Sequence, residues 1–357
     1  MIDSPHRFAS SRLPPVMITG GAGFFGSILA KRLLAEGRDC VVIDLEEPAF
    51  SHDRLVAIKG DIRDANLVRR LFDQYRFDTV YHSAAILAHA VKDKNFLWQS
   101  NVDGTRNVIE AAAATGVRSL VFISSNCLWA QNLGRPVRED DQPAPVEIYG
   151  RSKWEGERIV QEYRDRLNVV IIRCPTIMDE GRLGLLAILF EFISEGRRVW
   201  VVGGGNNRYQ FVYAQDLASA CITAAGSGRS DLFNIGSDNV GSFRDTYQYV
   251  IDKADTGARI RSLPRKLTLG AMRLFHVLGI SPLGPYQYRM IAEDFVFDTS
   301  RIKEQLQWRP TLSNADMLWL AYNYYHQNRQ EIEGRTGVSA HRQAAKMGVI
   351  RLLKWLS

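Results

Sequence analysis

Long apolar runs are missing from this chain of 357 residues. No stretch reaches the length of a membrane span, and Met1 to Pro15 lacks the apolar core of a secretion signal. The expected compartment is therefore the cytoplasm. Cysteine is scarce too: Cys40, Cys127, Cys174 and Cys221 are scattered without a Cys-x-x-Cys pair, which argues against a disulfide framework and against a zinc or other metal site. Excess charge is small, formally +6. That permits anionic substrates or surfaces and does not by itself indicate a nucleic-acid binder. What the chain has in quantity is core, with 46% hydrophobic residues over a length that suits two lobes better than one.

Glycine is where the chain becomes specific. Val16-Met17-Ile18-Thr19 is an apolar run that breaks into Gly20, Gly23 and Gly26, spaced three apart. This reads as a strand, a tight turn and a helix start. Gly20 permits the turn, Gly23 lets backbone approach a pyrophosphate, and Gly26 lets the helix pack closely on the strand; Phe24 and Phe25 complete the helix N-terminus that faces the phosphates. Phe25, Ile28, Leu29 and Leu33 recur at helical spacing, and Gly37 stands where a helix would stop. Cys40-Val41-Val42-Ile43-Asp44 is then a second strand ending in a carboxylate, 18 positions after Gly26. An acid there accepts both adenosine ribose hydroxyls and repels a 2′-phosphate, so NAD is expected rather than NADP.

A third strand, Val56 to Asp64, also ends in carboxylates. Asp61 has two readings: it accepts from the adenine amino group while Ile62 covers the ring, or it caps the helix Ala65 to Tyr75. The fourth strand, Thr79 to Ala85, ends in small residues, Ala84 and Ala85, that let a cofactor lie against the backbone. The loop Leu87 to Phe96 sits at the carboxyl end of that strand, where ligands bind in open α/β sheets. It makes His89 and Lys92 candidate substrate contacts, against the plainer reading of a solvated charged loop. A helix follows through Asn101 to Ala114, then a fifth strand, Ser119 to Ser125. The alternation argues for a parallel sheet covered on both faces, preceded by a disordered lead-in at 1–15.

Tyr149 and Lys153 open a helix after a proline-containing loop, and a spacing of four puts phenol and ammonium on one face. A cation favours tyrosinate, so Lys153 is expected to lower the Tyr149 pKa. Ser125, at the tip of the fifth strand, can hold a substrate hydroxyl. The three form a general base for removing a hydroxyl proton while hydride leaves the same carbon for a nicotinamide.

With these residues the chain closely resembles the extended short-chain dehydrogenase/reductases, specifically the NAD-dependent epimerase/dehydratase family. The resemblance rests on Gly20-x-x-Gly23-x-x-Gly26, Asp44, Asp61-Ile62, His82-x-Ala84-Ala85, Asn101-Val-x-Gly-Thr105, Ser124-Ser125 and Tyr149-x-x-x-Lys153, and covers roughly residues 16–325. It implies an α/β fold, a Rossmann-type doubly wound parallel sheet with a smaller discontinuous α/β substrate lobe. The NAD-binding domain is expected at 16–175 with later returns near 199–216, and the substrate lobe mainly at 176–330. It further implies that Asn101, Ser124 and Pro175 join the cofactor contacts, together with Tyr149 and Lys153, and that the protein is a homodimer packed through helices of the cofactor lobe.

The resemblance also bears on the reaction. In sugar 4,6-dehydratase relatives an acidic pair follows the serine or threonine at the end of the fifth strand; here those positions hold Asn126 and Cys127. The expected activity is therefore epimerisation of a sugar nucleotide, at a ring hydroxyl such as C4, with NAD recycled in each turnover. Thr176 stands nearest the usual sugar-contacting asparagine, Arg208 lies one place from the usual arginine, and Arg289 is a further candidate for the diphosphate. Residues 263–297 are unusually apolar, which reads either as a packed helix or as a site for a hydrophobic, sterol-like or other lipid-like alcohol, the latter making the protein a dehydrogenase or reductase. From Ser339 to Ser357 there is no acid, and Arg342, Lys346, Arg351 and Lys354 alternate with bulky apolar residues. The 331–357 tail is thus expected to be basic and amphipathic, docked on the subunit or lying peripherally on the inner face of an anionic membrane, where a lipid-linked sugar becomes a substrate.

Overall fold

The structure is a computed structural model and describes residues 13–87, 93–129, 132–278 and 290–334. The apolar runs form a seven-stranded, wholly parallel sheet. Its first half comprises β1 (Val16–Thr19), α1 (Phe24–Ala35), β2 (Cys40–Asp44), β3 (Leu55–Lys59), α2 (Ala65–Tyr75) and β4 (Thr79–His82). A helical run follows: α3 (Lys94–Trp98), a π-helical stretch (Gln99–Asp103) and α4 (Gly104–Ala114). Next come β5 (Ser119–Ser125), α5 (Ile148–Gln161) and β6 (Asn168–Cys174). The order β10-β6-β5-β4-β1-β2-β3, in which β10 is Asp231–Asn234, places the reversal of strand order between β1 and β4. A crevice opens at the carboxyl ends of strands at such a reversal. One apolar cluster fills the side covered by α1, with Phe25, Leu29 and Leu33, and another the side covered by α2, α4 and α5, with Phe72, Ile109 and Ile159.

After β6 the chain leaves through β7 (Thr176–Met178), α6 (Leu186–Ser194), β8 (Arg198–Val202) and β9 (Phe211–Tyr213), and comes back through α7 (Ala214–Gly226) and β10 (Asp231–Asn234). Of the later return expected near 199–216, the end of β9 and the start of α7 do rejoin the large sheet's core, with Val212 and Ala214 in the α1-side cluster, while β8 does not. β8 pairs with β11 (Arg259–Leu263) in a separate two-stranded sheet, because Val199 packs with Phe190 and Phe192 in the second lobe's own core. The large sheet is completed by α7 and β10. The second lobe also holds α8 (Phe243–Ala254), α9 (Arg265–Val277) and α11 (Asn314–Gln327), ending in α12 (Arg329–Gly334). Between them α10 (Ser300–Leu306) crosses back: Ile302 and Trp308 join the α1-side cluster, and Trp308 Nε1 donates to Asp216 O at 3.0 Å.

Two further expectations change. The charged loop 87–96 gives way to α3 at Lys94, because the Asp93 carboxylate accepts from Asn95 N and Phe96 N and caps that helix. The apolar segment read as a packed helix does form α9, yet Leu267, Leu274 and Leu278 are exposed. His89, Lys92, Arg289 and the basic tail beyond Gly334 lie outside the described residues. Among the described residues no helix is long and apolar enough to cross a membrane, and no group of three or more His, Cys, Asp or Glu is placed to hold a metal.

Candidate active site and cofactor crevice

The glycine turn closes at the β1 end of the crevice. A Cβ on Gly26 would stand 2.0 Å from Gly20 O, and one on Gly20, at φ +74°, would stand 2.8 Å from the Ala84 backbone. Only glycine fits, and the backbone left bare is the cradle a pyrophosphate needs. Asp44, at the tip of β2, accepts from Ala22 N at 3.0 Å through Oδ2 and from Glu46 N at 3.3 Å through Oδ1. This holds it beside the turn with lone pairs left for ribose hydroxyls. Phe24 and Phe25 are buried and open α1 directly after the glycine turn, so their backbone N–H groups stand at the helix N-terminus. Glycine turn, helix N-terminus and acid fit NAD.

Of the two readings of Asp61, the cap is excluded: Asp64 caps α2, accepting from Asn66 N and Leu67 N at 3.0 Å. Asp61 is instead gripped by Arg63, through Nε at 2.8 Å and Nη2 at 2.6 Å, while the Arg63 guanidinium lies 4.4 Å from the Phe96 ring centre. Burial works against its charge, but the Arg63 hydrogen bonds and charge win and hold its carboxyl below the usual range. Ile62 is buried against Gly104, where a Cβ would meet Ile62 Cδ1 at 2.7 Å. Asn101 is held by the protein: its Oδ1 accepts from Ile86 N at 2.7 Å and its Nδ2 donates to Ile86 O and Ser152 Oγ at 3.0 Å. Through these bonds Asn101 pins the segment after β4, which carries half-buried Ala84 and Ala85, against α5 and keeps one Oδ1 lone pair.

A buried chain of hydrogen bonds joins this crevice to the catalytic helix. Thr105 Oγ1 donates to Asn101 O at 2.7 Å, so at 2.8 Å it accepts from His82 Nε2, and His82 Nδ1 accepts from Thr19 Oγ1 at 2.6 Å. Thr19 in turn receives Ala84 N at 3.2 Å, and at the other end Ser152 Oγ donates to Tyr149 O at 2.8 Å. The proton order requires neutral His82. Burial, aided by the Lys153 charge, pushes its pKa down to about 3.

Ser125, Tyr149 and Lys153 come together at the tip of β5 and the first turns of α5. Ser125 Oγ accepts from Cys127 N at 3.1 Å, capping a short 3-10 turn; it lies 3.5 Å from Asn126 Oδ1 and also hydrogen-bonds with the Tyr149 phenol. Lys153 is buried with Nζ 4.0 Å from the Phe122 ring centre, and burial pulls its pKa down to about 8. The expectation that Lys153 lowers the Tyr149 pKa is not reproduced in the free chain. Burial, with the Cys127 and Cys174 thiols beside it, drives the phenol up; the groups drawing it down are Ser125 and Arg182. Ser124 Oγ is buried and has no hydrogen-bond partner among the described residues, and Pro175 is buried at the turn from β6 to β7.

Sequence reasoning missed two residues. Tyr209 is buried; its hydroxyl accepts from Asn126 Nδ2 at 2.7 Å and lies 3.2 Å from Thr176 Oγ1, tying Asn126 and Thr176 into one polar floor. Arg208 is the residue that fails: it is exposed and paired with Asp294 at 3.5 Å. Neighbours in extended chain face opposite sides, so naming Arg208 was one position from the inward residue. Arg182, half-buried in the loop after β7, acts electrostatically on Tyr149 and Tyr209, stands 5.9 Å from the Phe24 ring centre and is lowered by burial to about 10. No local pattern marks it, since its position depends on the path of that loop.

The sequence pattern of the NAD dependent epimerase/dehydratase family matches residues 16–236. The chain belongs to this family. Protein y4nG of Sinorhizobium fredii is 40% identical over 95% of this chain and 85% of its own length. The UDP-glucose 4-epimerase of Mycolicibacterium smegmatis is 26% identical over 88% of this chain and 99% of its own. Among solved structures, the Bordetella bronchiseptica enzyme WbmG in complex with NAD superposes with a TM-score of 0.73 at 22% identity, over 89% of this chain and 96% of its own. The Thermotoga maritima UDP-glucose 4-epimerase with UDP-glucose gives 0.72 at 23%, over 88% and 99%. These likenesses match the fold described above, and the family's cofactor is NAD.

Proposed function

We propose that this family member epimerises a nucleotide sugar at a ring hydroxyl such as C4. The observation that carries the reading is what surrounds Tyr149. Among the described residues the groups that act electrostatically on it are Ser125, two thiols and an arginine, with no carboxylate. Asn126 is tied to Tyr209, and Cys127 follows it. A dehydratase needs a carboxylic acid at these places to expel water; an epimerase needs only a base and a hydride carrier. NAD, held by the glycine turn and Asp44, supplies reversible hydride transfer. Tyr149 takes the hydroxyl proton, Ser125 steadies the same oxygen, and Lys153 supplies positive charge at the foot of the helix. Asn126, Thr176 and Tyr209 floor the sugar pocket, and Arg182 offers a cation to its oxygens. The same reading includes NAD preference through Asp44 and a homodimer packed through cofactor-lobe helices, checked by light scattering.

The test is product analysis by NMR on a panel of sugar nucleotides with substoichiometric NAD. Isomer in excess of added NAD, without NADH accumulating, is expected. Loss of water from the sugar would replace the reading with a dehydratase, and NADH build-up on hydrophobic alcohols with a dehydrogenase. Tyr149→Phe is expected to lower turnover by about 10³-fold or more while NAD affinity changes little; full activity in that variant would remove Tyr149 from the chemistry.

A further inference from the structure

The second lobe carries a surface that its core does not use. In α9 and the residue after it, Leu267 is 73%, Leu274 56% and Leu278 60% exposed. Their spacing of seven and four puts them in a stripe about 40° wide. No described side chain from Arg265 to Phe275 is buried. Lys266 and Arg273 run along a line about 100° round the helix, beside the leucines. β11, which leads into α9, adds exposed Arg259 and Arg261. From Thr256 to Leu278 there are five Lys or Arg residues and no Asp or Glu. None of the five has an ion-pair partner among the described residues. Several arginines elsewhere are matched, as Arg135 is by Asp141 and Arg301 by Asp140.

We propose that this α9–β11 face docks on an anionic lipid bilayer. Leu267, Leu274 and Leu278 enter the boundary between headgroups and acyl chains, and the flanking cations meet anionic headgroups. A solvated helix has no use for a leucine stripe, and a stripe seeking a protein core has no use for a wholly basic border. A second copy of this chain is disfavoured by the same charge. A two-fold contact would set five cations against the same five.

The experiment is co-sedimentation of the full-length protein with phosphatidylcholine vesicles, with and without about a third phosphatidylglycerol. Pelleting is expected on the anionic vesicles only. Arg265→Glu with Lys266→Glu should weaken it about tenfold or more, as should raised salt. Leu267→Gln with Leu274→Gln should weaken it at every salt concentration. All these positions are exposed, so folding is checked simply by the unchanged melting temperature. Equal pelleting of wild type and both variants would place any membrane contact elsewhere and overturn the proposal, as would no pelleting. Self-association in light scattering that disappears in the leucine variant, without vesicle binding, would overturn it in favour of a second copy. None of these readouts depends on turnover, so the proposal stands or falls apart from the epimerase reading.

Discussion

Lys153 is 3% exposed, and its ammonium faces an aromatic ring rather than a carboxylate. Holding that lysine near 8 instead of 10.5 costs the folded chain on the order of 3 kcal/mol at neutral pH. The penalty is full below pH 8 and fades as pH rises toward the unfolded value. Lys153→Met should therefore raise the melting temperature at pH 7 while removing turnover, a result that calorimetry and an activity assay give together. His82 acts on the acid side. With a folded pKa of about 3 against an ordinary 6.5, it favours folding above pH 6.5. Between 6.5 and 3 the unfolded chain takes up a proton that the folded chain refuses. Stability should fall by on the order of 5 kcal/mol across that window, and His82→Gln should flatten the fall in an acid-unfolding series.

At the scale of elements, the most consequential joint is between α5 and β6. Arg173 and Glu157 are 3% and 0% exposed and meet through two hydrogen bonds, 2.9 and 2.7 Å, while Arg173 Nη1 donates to Glu139 O. Breaking such a buried pair on one side typically costs about 3–5 kcal/mol. Glu157→Gln should lower the urea midpoint accordingly, and because Glu157 stands one turn beyond Lys153, it should also lower the Lys153 pKa. These joints were unevenly legible in the sequence. α2 and β5 occupy the spans that periodicity predicts, since both elements are set by local apolar spacing. The glycine turn and the Tyr149–Lys153 face were legible for the same reason. The intramolecular partners of Asp61, Ile62 and Asn101 were not. Whether an acid or amide turns toward a ligand or toward Arg63, Gly104 or Ile86 depends on contacts made 15 or more residues away, or on a competing neighbour two places along. That β8 packs in the second lobe was not legible either, because an apolar strand does not encode which core receives it.

At the scale of the molecule, the two lobes are interleaved. The chain leaves the large sheet after β6, returns for α7 and β10, leaves again, and crosses back at α10 before ending in the second lobe. A chain cut after Gly226 lacks β10, Ile302 and Trp308. It is expected to be insoluble on expression, which the soluble fraction and gel filtration would show, whereas a freely separable cofactor lobe would remain soluble. There is also a consequence in time. β6 has one neighbour, β5, until β10 arrives, and about sixty residues of other chain intervene. A ribosome adding about 5–20 residues per second leaves that row of backbone donors and acceptors uncovered for several seconds of every synthesis. During those seconds the nascent chain depends on its crowded surroundings, and slow decoding between Cys174 and Asp231 would lengthen its exposure.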